Sequence, residues 1–335
     1  MPHQQLRTIV RQPEFDEDIP TEQPTALTPP SHQHTSDTSM SSLPRKASTS
    51  SAKKPLLDTS PLQLPPHAQV QRTTTPALGC GSYGEVLEVK YRGVCYAAKK
   101  YYERYAESGK VKDIFDREKG ILNKLNHPNI VPYFGICQLS DGSPVIVMER
   151  LETNLATFVE KRNLALETRI SIMRDVAHGL EYVHSQVPII IHRDLTATNV
   201  LLTADGTAKI ADFGNSRMVD ITSTPELLTS NPGTLDYMPP EALEGNEYDD
   251  KLDVFSFGHL SIYTIIQHRP HPLLRPKYKG KALSEVERRQ KYIEEMKEKL
   301  KKPDHPFLNI VEACLDDEPE ERPAIKDILV KSWHY

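Results

Sequence analysis

Cysteine is scarce in this 335-residue chain, where Cys80, Cys95, Cys137 and Cys314 are the whole complement. None forms a C-x-x-C pair or stands near histidine at zinc-binding spacing, so neither a disulfide framework nor a structural zinc site is expected. Such thiols suit a reducing compartment. No apolar stretch approaches the ~20 residues of a membrane span. The candidate run, Phe255 to Ile266, is too short and carries His259, which predicts a helix buried in a core. The N-terminus lacks the apolar centre of a secretion signal. A cytoplasmic protein is expected, with the nucleus also open to it. Positive charge is not in excess either. A formal net charge of -5 leaves no domain-wide basic surface to release counterions, so nucleic acid is not an expected partner.

Aromatic residues are nearly missing from the first part of the chain, where Phe15 is the only one before Gln71 and Pro, Ser, Thr and Gln dominate. Too little apolar area is present there to offset ordering entropy of about 1–2 kcal/mol per residue. Residues 1–71 are expected to be a disordered tail. Ser48 follows Arg45-Lys46-Ala47, and Thr28-Pro29, Ser60-Pro61 and Thr75-Pro76 are proline-directed sites, so regulatory phosphates suit this part of the chain. The remainder, 72–335, is long enough to bury one substantial core.

Within that remainder the hydrophobic period changes. Leu78 to Val89, Val94 to Lys100, Tyr133 to Gln138 and Val145 to Met148 read as short strands, with Tyr91-Arg92-Gly93 as a tight hairpin turn and Ser140-Asp141-Gly142 as another. Ile114 to Leu125 has helical spacing and stops before His127-Pro128. Beyond Glu149, apolar residues recur at three and four, as in Ile170, Met173, Val176, Ala177, Leu180 and Val183. Further helices are predicted over Asp253–Gln267, Leu283–Lys301, Phe307–Leu315 and Ile325–Trp333. A small strand-rich part therefore precedes a larger helical part.

Three clusters carry chemistry. Gly79, Gly81 and Gly84 fit G-x-G-x-x-G-x-V, a loop whose backbone can approach phosphate oxygens with no side chain in the way. Alone this pattern also suits a dinucleotide-binding turn. Here the glycines lead into a hairpin and a further strand ending in Tyr96-Ala97-Ala98-Lys99, not into a helix. The other two clusters are His192-Arg193-Asp194-Leu195-Thr196-Ala197-Thr198-Asn199 and Asp212-Phe213-Gly214, which set an aspartate, an asparagine and a second aspartate on neighbouring loops.

These motifs, in this order, resemble those of eukaryotic protein kinases, and the overall similarity is to the tyrosine-kinase-like group of serine/threonine kinases. The matches run through nearly all of residues 78–323. The resemblance implies an α+β bilobal fold with a small antiparallel-sheet N-lobe carrying one helix (about 72–148), a hinge (149–151) and a larger helical C-lobe (152–335). It implies ATP and Mg2+ as cofactors. Leu78, Gly79, Cys80, Gly81, Ser82, Tyr83 and Gly84 would cover the nucleotide. Val86, Ala97 and Leu201 would sandwich the adenine, with Met148 behind it and Glu149 to Leu151 as hinge. Lys99 would position phosphates, oriented by Glu118, because a lone flexible ammonium spreads its charge over many rotamers. Asp194 would accept the proton of a substrate hydroxyl, and Asn199 and Asp212 would bind Mg2+.

The resemblance further implies a hydrophobic column of His192, Phe213, Leu122 and Tyr133, an ion pair between Glu241 and Arg322, and Asp253 bracing the catalytic loop. It points to Ser230, with Thr229 as neighbour, as the site of an activating phosphate received by Arg193 and Arg217. Protein substrates and an upstream activating kinase are the expected partners. Thr196 stands where lysine is usual in serine/threonine kinases, and neither it nor Thr198 supplies the arginine usual in tyrosine kinases. Gly233-Thr234 has the serine/threonine form, which favours that specificity. Tyrosine or dual specificity is the alternative, and a nucleotide-binding pseudokinase scaffold is the alternative of a different class. Pro239 and Phe255 replace the usual alanine and tryptophan with residues that keep apolar bulk.

Overall fold

Val145, Ile146 and Val147 are consecutive and all fully buried, which requires a strand covered on both faces. A computed structural model, describing residues 63–81, 83–102, 110–219, 234–267, 285–300 and 308–331, supplies both covers. The strands are β1 (Gln71–Arg72), β2 (Gly79–Cys80), β3 (Gly84–Tyr91), β4 (Val94–Tyr101), β5 (Tyr133–Gln138) and β6 (Pro144–Met148). They form an antiparallel sheet in the order β1-β3-β4-β6-β5, with β2 also paired to β3. The β3–β4 hairpin closes at Tyr91 opposite Val94, and its two central residues, Arg92 (φ 48°) and Gly93 (φ 85°), are both left-handed, as a two-residue turn between twisted strands demands.

One face of the sheet packs on α1 (Lys110–Leu122), where Ile146 joins Tyr101, Ile121, Leu122 and Tyr133. On the opposite face Leu87, Val89, Ala98, Cys137, Val145 and Val147 form a second core cluster, and Leu64 and Val70 complete it. Residues 63–70 reach this position along β5: Leu64 N–H donates to Phe134 O (2.7 Å), His67 N–H to Ile136 O (3.2 Å) and Val70 N–H to Gln138 O (2.9 Å). Residues 63–71 were expected in the tail. Leu64 and Val70 are instead buried in the N-lobe core on this face. The rest of the expected tail, residues 1–62, lies outside the described residues.

The C-lobe is built on α3 (Leu166–His184) and α5 (Lys251–Ile266), with β7 (Thr153–Asn154), α2 (Leu155–Lys161), β8 (Ile189–Ile191), β9 (Val200–Leu202), β10 (Ala208–Ile210), β11 (Arg217–Val219), α4 (Pro240–Leu243), α6 (Glu285–Leu300), α7 (Leu308–Cys314) and α8 (Ile325–Lys331) around them. Every residue of α5 from Leu252 to Ile265 is buried, the polar Asp253, Ser256, His259, Ser261 and Thr264 included. Two small antiparallel ladders, β10-β9-β7 and β11-β8, hold the loops that carry the chemical residues. No helix among the described residues is long and apolar enough to cross a membrane.

Candidate active site

The sheet register sets out the upper wall of a cleft. Ala97 pairs with Met148, Val86 with Lys99 and Gly79 with Val86, so the expected adenine-contacting residues of β3, β4 and β6 are neighbours. Leu78 and Tyr83 are exposed, Leu78 N–H donates to Val86 O (2.7 Å) and Gly81 N–H to Gly84 O (2.8 Å). Gly84 cannot be another residue without movement, since a Cβ there would collide with the Lys100 carbonyl. Cys80 is exposed on β2, and Ser82 lies outside the described residues. Below, Leu201 of β9 pairs with Asn154 and Lys209. Between the lobes, Glu149 N–H donates to Pro132 O (3.0 Å). The Glu149 carboxylate meets Lys209 of the C-lobe at 2.8 Å, and the next residue, Arg150, meets Glu88 of the N-lobe at 2.5 Å. Leu151 is half-buried.

Lys99 Nζ stands 2.9 Å from both carboxylate oxygens of Glu118 and 2.6 Å from Asp212 Oδ1. Burial works against its charge, but the Glu118 and Asp212 carboxylates outweigh it and hold Lys99 protonated well above the ordinary lysine range. Burial also pushes Glu118 upward. For Asp212, burial opposes ionisation while Lys99 favours it, and the result is a carboxyl below its usual range. The Tyr101 hydroxyl donates to Glu118, and the Lys99 ammonium lies 5.1 Å from the Tyr101 ring centre. Sequence reasoning missed Tyr101, whose only sequence signal is its place two residues after Lys99 on the same strand face.

Asp212 (φ 63°) and Arg193 (φ 68°) both take left-handed backbone conformations, a cost that persists only where surrounding contacts enforce it. Asp253, fully buried, supplies those contacts for the first loop: it accepts from the main-chain N–H of His192 (2.7 Å) and Arg193 (2.8 Å) and meets His184 Nε2 at 2.9 Å. The second loop packs through Phe213, whose ring lies edge-on to His192 at 4.9 Å between centres. His192, Phe213, Leu122 and Tyr133 are all buried. A Cβ on Gly214 would lie 2.8 Å from Lys99 Nζ and 3.2 Å from Asp212 Oδ1, so glycine leaves room for that ion pair.

Asp194 is gripped on both oxygens. Oδ1 accepts from Thr234 N–H (3.0 Å) and Thr234 Oγ1 (2.9 Å), and Oδ2 from the amides of Asn199 and Asn215, each at 3.2 Å. Asn199 Nδ2 also donates to the Asp194 carbonyl at 2.9 Å, which leaves its amide oxygen as the available donor to a cation. That oxygen and the Asp212 carboxylate are hard oxygen ligands on adjacent loops. Such a set fits Mg2+, which takes one or two protein carboxylates or amides plus phosphate and water.

Arg193 is buried, yet its Nε and Nη1 have no hydrogen-bond partner among the described residues, and neither does Nη1 of Arg217. Burial disfavours the charge of Arg193 and lowers its pKa from the ordinary guanidinium value, and the positive charge of Arg117 on α1 adds to that. Arg117 is a third cation that the motif reading did not single out. Ser230 and Thr229 lie outside the described residues. Further from the cleft, Arg322 makes a two-pronged pair with Glu241 (2.6 and 3.0 Å), and its guanidinium lies 5.0 Å from the Phe255 ring centre.

A profile of the family described as "Protein kinase domain" matches residues 72–334. Among curated proteins, the chain is 31% identical over 266 residues to a Dictyostelium discoideum protein named "Probable serine/threonine-protein kinase", covering 76% of this chain and 23% of that one. It is 38% identical over 186 residues to the serine/threonine-protein kinase TNNI3K of Mus musculus, covering 54% of this chain and 22% of the relative. It is 31% identical over 280 residues to the dual specificity protein kinase shkA of Dictyostelium discoideum, covering 79% and 49%. The chain thus spans less than a quarter of the first two relatives and about half of the third.

Proposed function

The chain belongs to the protein kinase domain family, and from that premise we propose that it transfers the γ-phosphoryl group of ATP to serine and threonine hydroxyls of protein substrates. The observation that carries this reading is the fixed Asp194 carboxylate beside two metal-fitting oxygen donors, Asn199 and Asp212, with Lys99 bound between Glu118 and Asp212. Phosphoryl transfer asks mostly for positioning and charge stabilisation. Lys99, oriented by Glu118, holds phosphate oxygens. Asp194 orients the attacking hydroxyl and accepts its proton, within hydrogen-bond reach of the reacting group. Mg2+, held by Asn199 and Asp212, would neutralise charge on the phosphates. Leu78, Val86, Ala97, Met148 and Leu201 enclose the adenine, and the main chain of Glu149 to Leu151 supplies its polar contacts.

Thr234 supports serine/threonine specificity, because its hydroxyl and N–H both bind Asp194. Dual specificity is the second reading, favoured by the relative shkA, which is named a dual specificity kinase. Arg193 and Arg217 support a regulatory phosphate at Ser230 or Thr229, placed by an upstream kinase or by the protein itself. Domain limits follow the same reading: a kinase domain from about residue 63 to the C-lobe end, preceded by a tail. Phosphoamino-acid analysis of the autophosphorylated full chain tests the specificity. Phosphoserine and phosphothreonine are expected, and phosphotyrosine in quantity would move the assignment to dual specificity.

A further inference from the structure

Asn215 has no role in the reading above, yet its side-chain amide lies 3.2 Å from Asp194 Oδ2. A carboxylate offers about four acceptor sites, and the two Thr234 donors, Asn199 and Asn215 occupy all four. A substrate hydroxyl therefore reaches Asp194 only by displacing a donor. The Thr234 contacts are exposed, and a hydroxyl rotates at little cost. The Asn215 contact is half-buried, and its backbone is fixed on both sides: Asp212 accepts from Gly214 N–H (3.3 Å), and buried Ser216 donates to the His192 carbonyl (3.1 Å). Asn215 therefore stays, beside Asn199, whose contact with the same oxygen is also half-buried.

We propose that Asn215 is a positioning residue for phosphoryl transfer, its amide holding Oδ2 of Asp194 so that Oδ1 faces the incoming hydroxyl. The inference rests on Asp194 being the proton acceptor. The terminal torsion of an aspartate is broad, so a carboxylate gripped on one oxygen presents the other in one orientation, and orientation is worth rate. In the step itself the acceptor oxygen bonds to the γ-phosphorus, the β–γ bridging bond breaks to release ADP, and the hydroxyl proton passes to Oδ1. Asn215 acts through Asp194.

The test compares the wild-type full chain with Asn215→Leu and Asp194→Asn, using Mg-ATP and a generic protein substrate. Asn215→Leu keeps the size and removes the donor. Its kcat is expected to fall roughly ten- to a hundredfold with KM for ATP unchanged. A residue that only shapes the nucleotide site would raise KM for ATP as kcat falls. A raised KM for ATP, or a wild-type kcat, in Asn215→Leu overturns the proposal. If Asn215→Leu does not fold, Asn215→Ala removes the donor with less bulk and must show the same loss of kcat. A wild-type rate no greater than that of Asp194→Asn removes the kinase reading instead, and this inference with it.

Discussion

Leu64 donates its main-chain N–H to the Phe134 carbonyl at 2.7 Å and buries its side chain against the sheet face opposite α1. The short run 63–70 thus acts as a cover for β5 and β6, contributing two side chains, Leu64 and Val70, to a core that the domain proper leaves open.

A chain starting at residue 63 is expected to unfold with the full-length stability, and one starting at residue 72 to lose up to about 3–6 kcal/mol, the burial of one leucine and one valine. Urea midpoints of the two truncated proteins decide this. Equal midpoints would show that the cover is dispensable.

The sequence signal for that cover is weak for a physical reason. Pro65, Pro66 and His67 split Leu64 from Val70, and the alternation on either side, Leu62-Gln63-Leu64 and Ala68-Gln69-Val70, is too short to mark an element. The opposite holds for β3, β4 and α3, whose periods and turn residues are read directly from the chain, and for α5, whose apolar run has no polar face. Helix α2 was missed because seven residues give barely two turns of period, though Asn154 does cap it through Thr157 N–H. The three-residue ladders β8–β11 and β9–β10 are set by packing beneath the loops and carry no local pattern. At the site, Lys99, Glu118, Asp194, Asn199 and Asp212 are legible because their spacing follows motifs. Tyr101, Arg117 and Asn215 are not, since only the folded chain shows what they touch.

Arg322 is fully buried, and its partner Glu241 is nearly so. Glu241→Ala, which leaves that guanidinium without its carboxylate, is expected to cost about 3–5 kcal/mol. The Glu241→Ala, Arg322→Met double variant is expected to cost less than the sum of its parts. Chemical denaturation of the four proteins in the cycle measures both, and strict additivity would contradict the pairing.

Burial pushes Asp253 upward, but the hydrogen bond and charge of His184, aided by His192 and the Arg193 N–H, hold its carboxyl below the ordinary range. A group lowered on folding stabilises fully above its unfolded value, about 3.9, and that stabilisation fades as pH falls through the lower folded value. The stability difference between wild type and Asp253→Asn is therefore expected to be constant near neutrality and to shrink below about pH 4. Unfolding free energies measured across that range check it, and a difference that grows in acid would reverse the sign.

Arg193 and Arg217 each keep a buried guanidinium N–H without a partner among the described residues, which suits an added phosphate of about -1.5 to -2 charge. Active protein is expected to carry phosphate at Ser230 or Thr229, and Ser230→Ala and Arg217→Ala are each expected to lower activity. Mass spectrometry with activity measurements tests this. Full activity in a Ser230→Ala, Thr229→Ala double variant, with no phosphate detected between Asn215 and Asn231, would remove the switch.

The most direct measurement is phosphotransfer by the full chain beside Asp194→Asn, with nucleotide binding followed in both. The account predicts that both bind ATP alike and that wild type transfers its γ-phosphoryl group to serine and threonine about 10²–10⁴ times faster. Equal rates in the two proteins, with nucleotide bound, would contradict it and leave a kinase-shaped binding module.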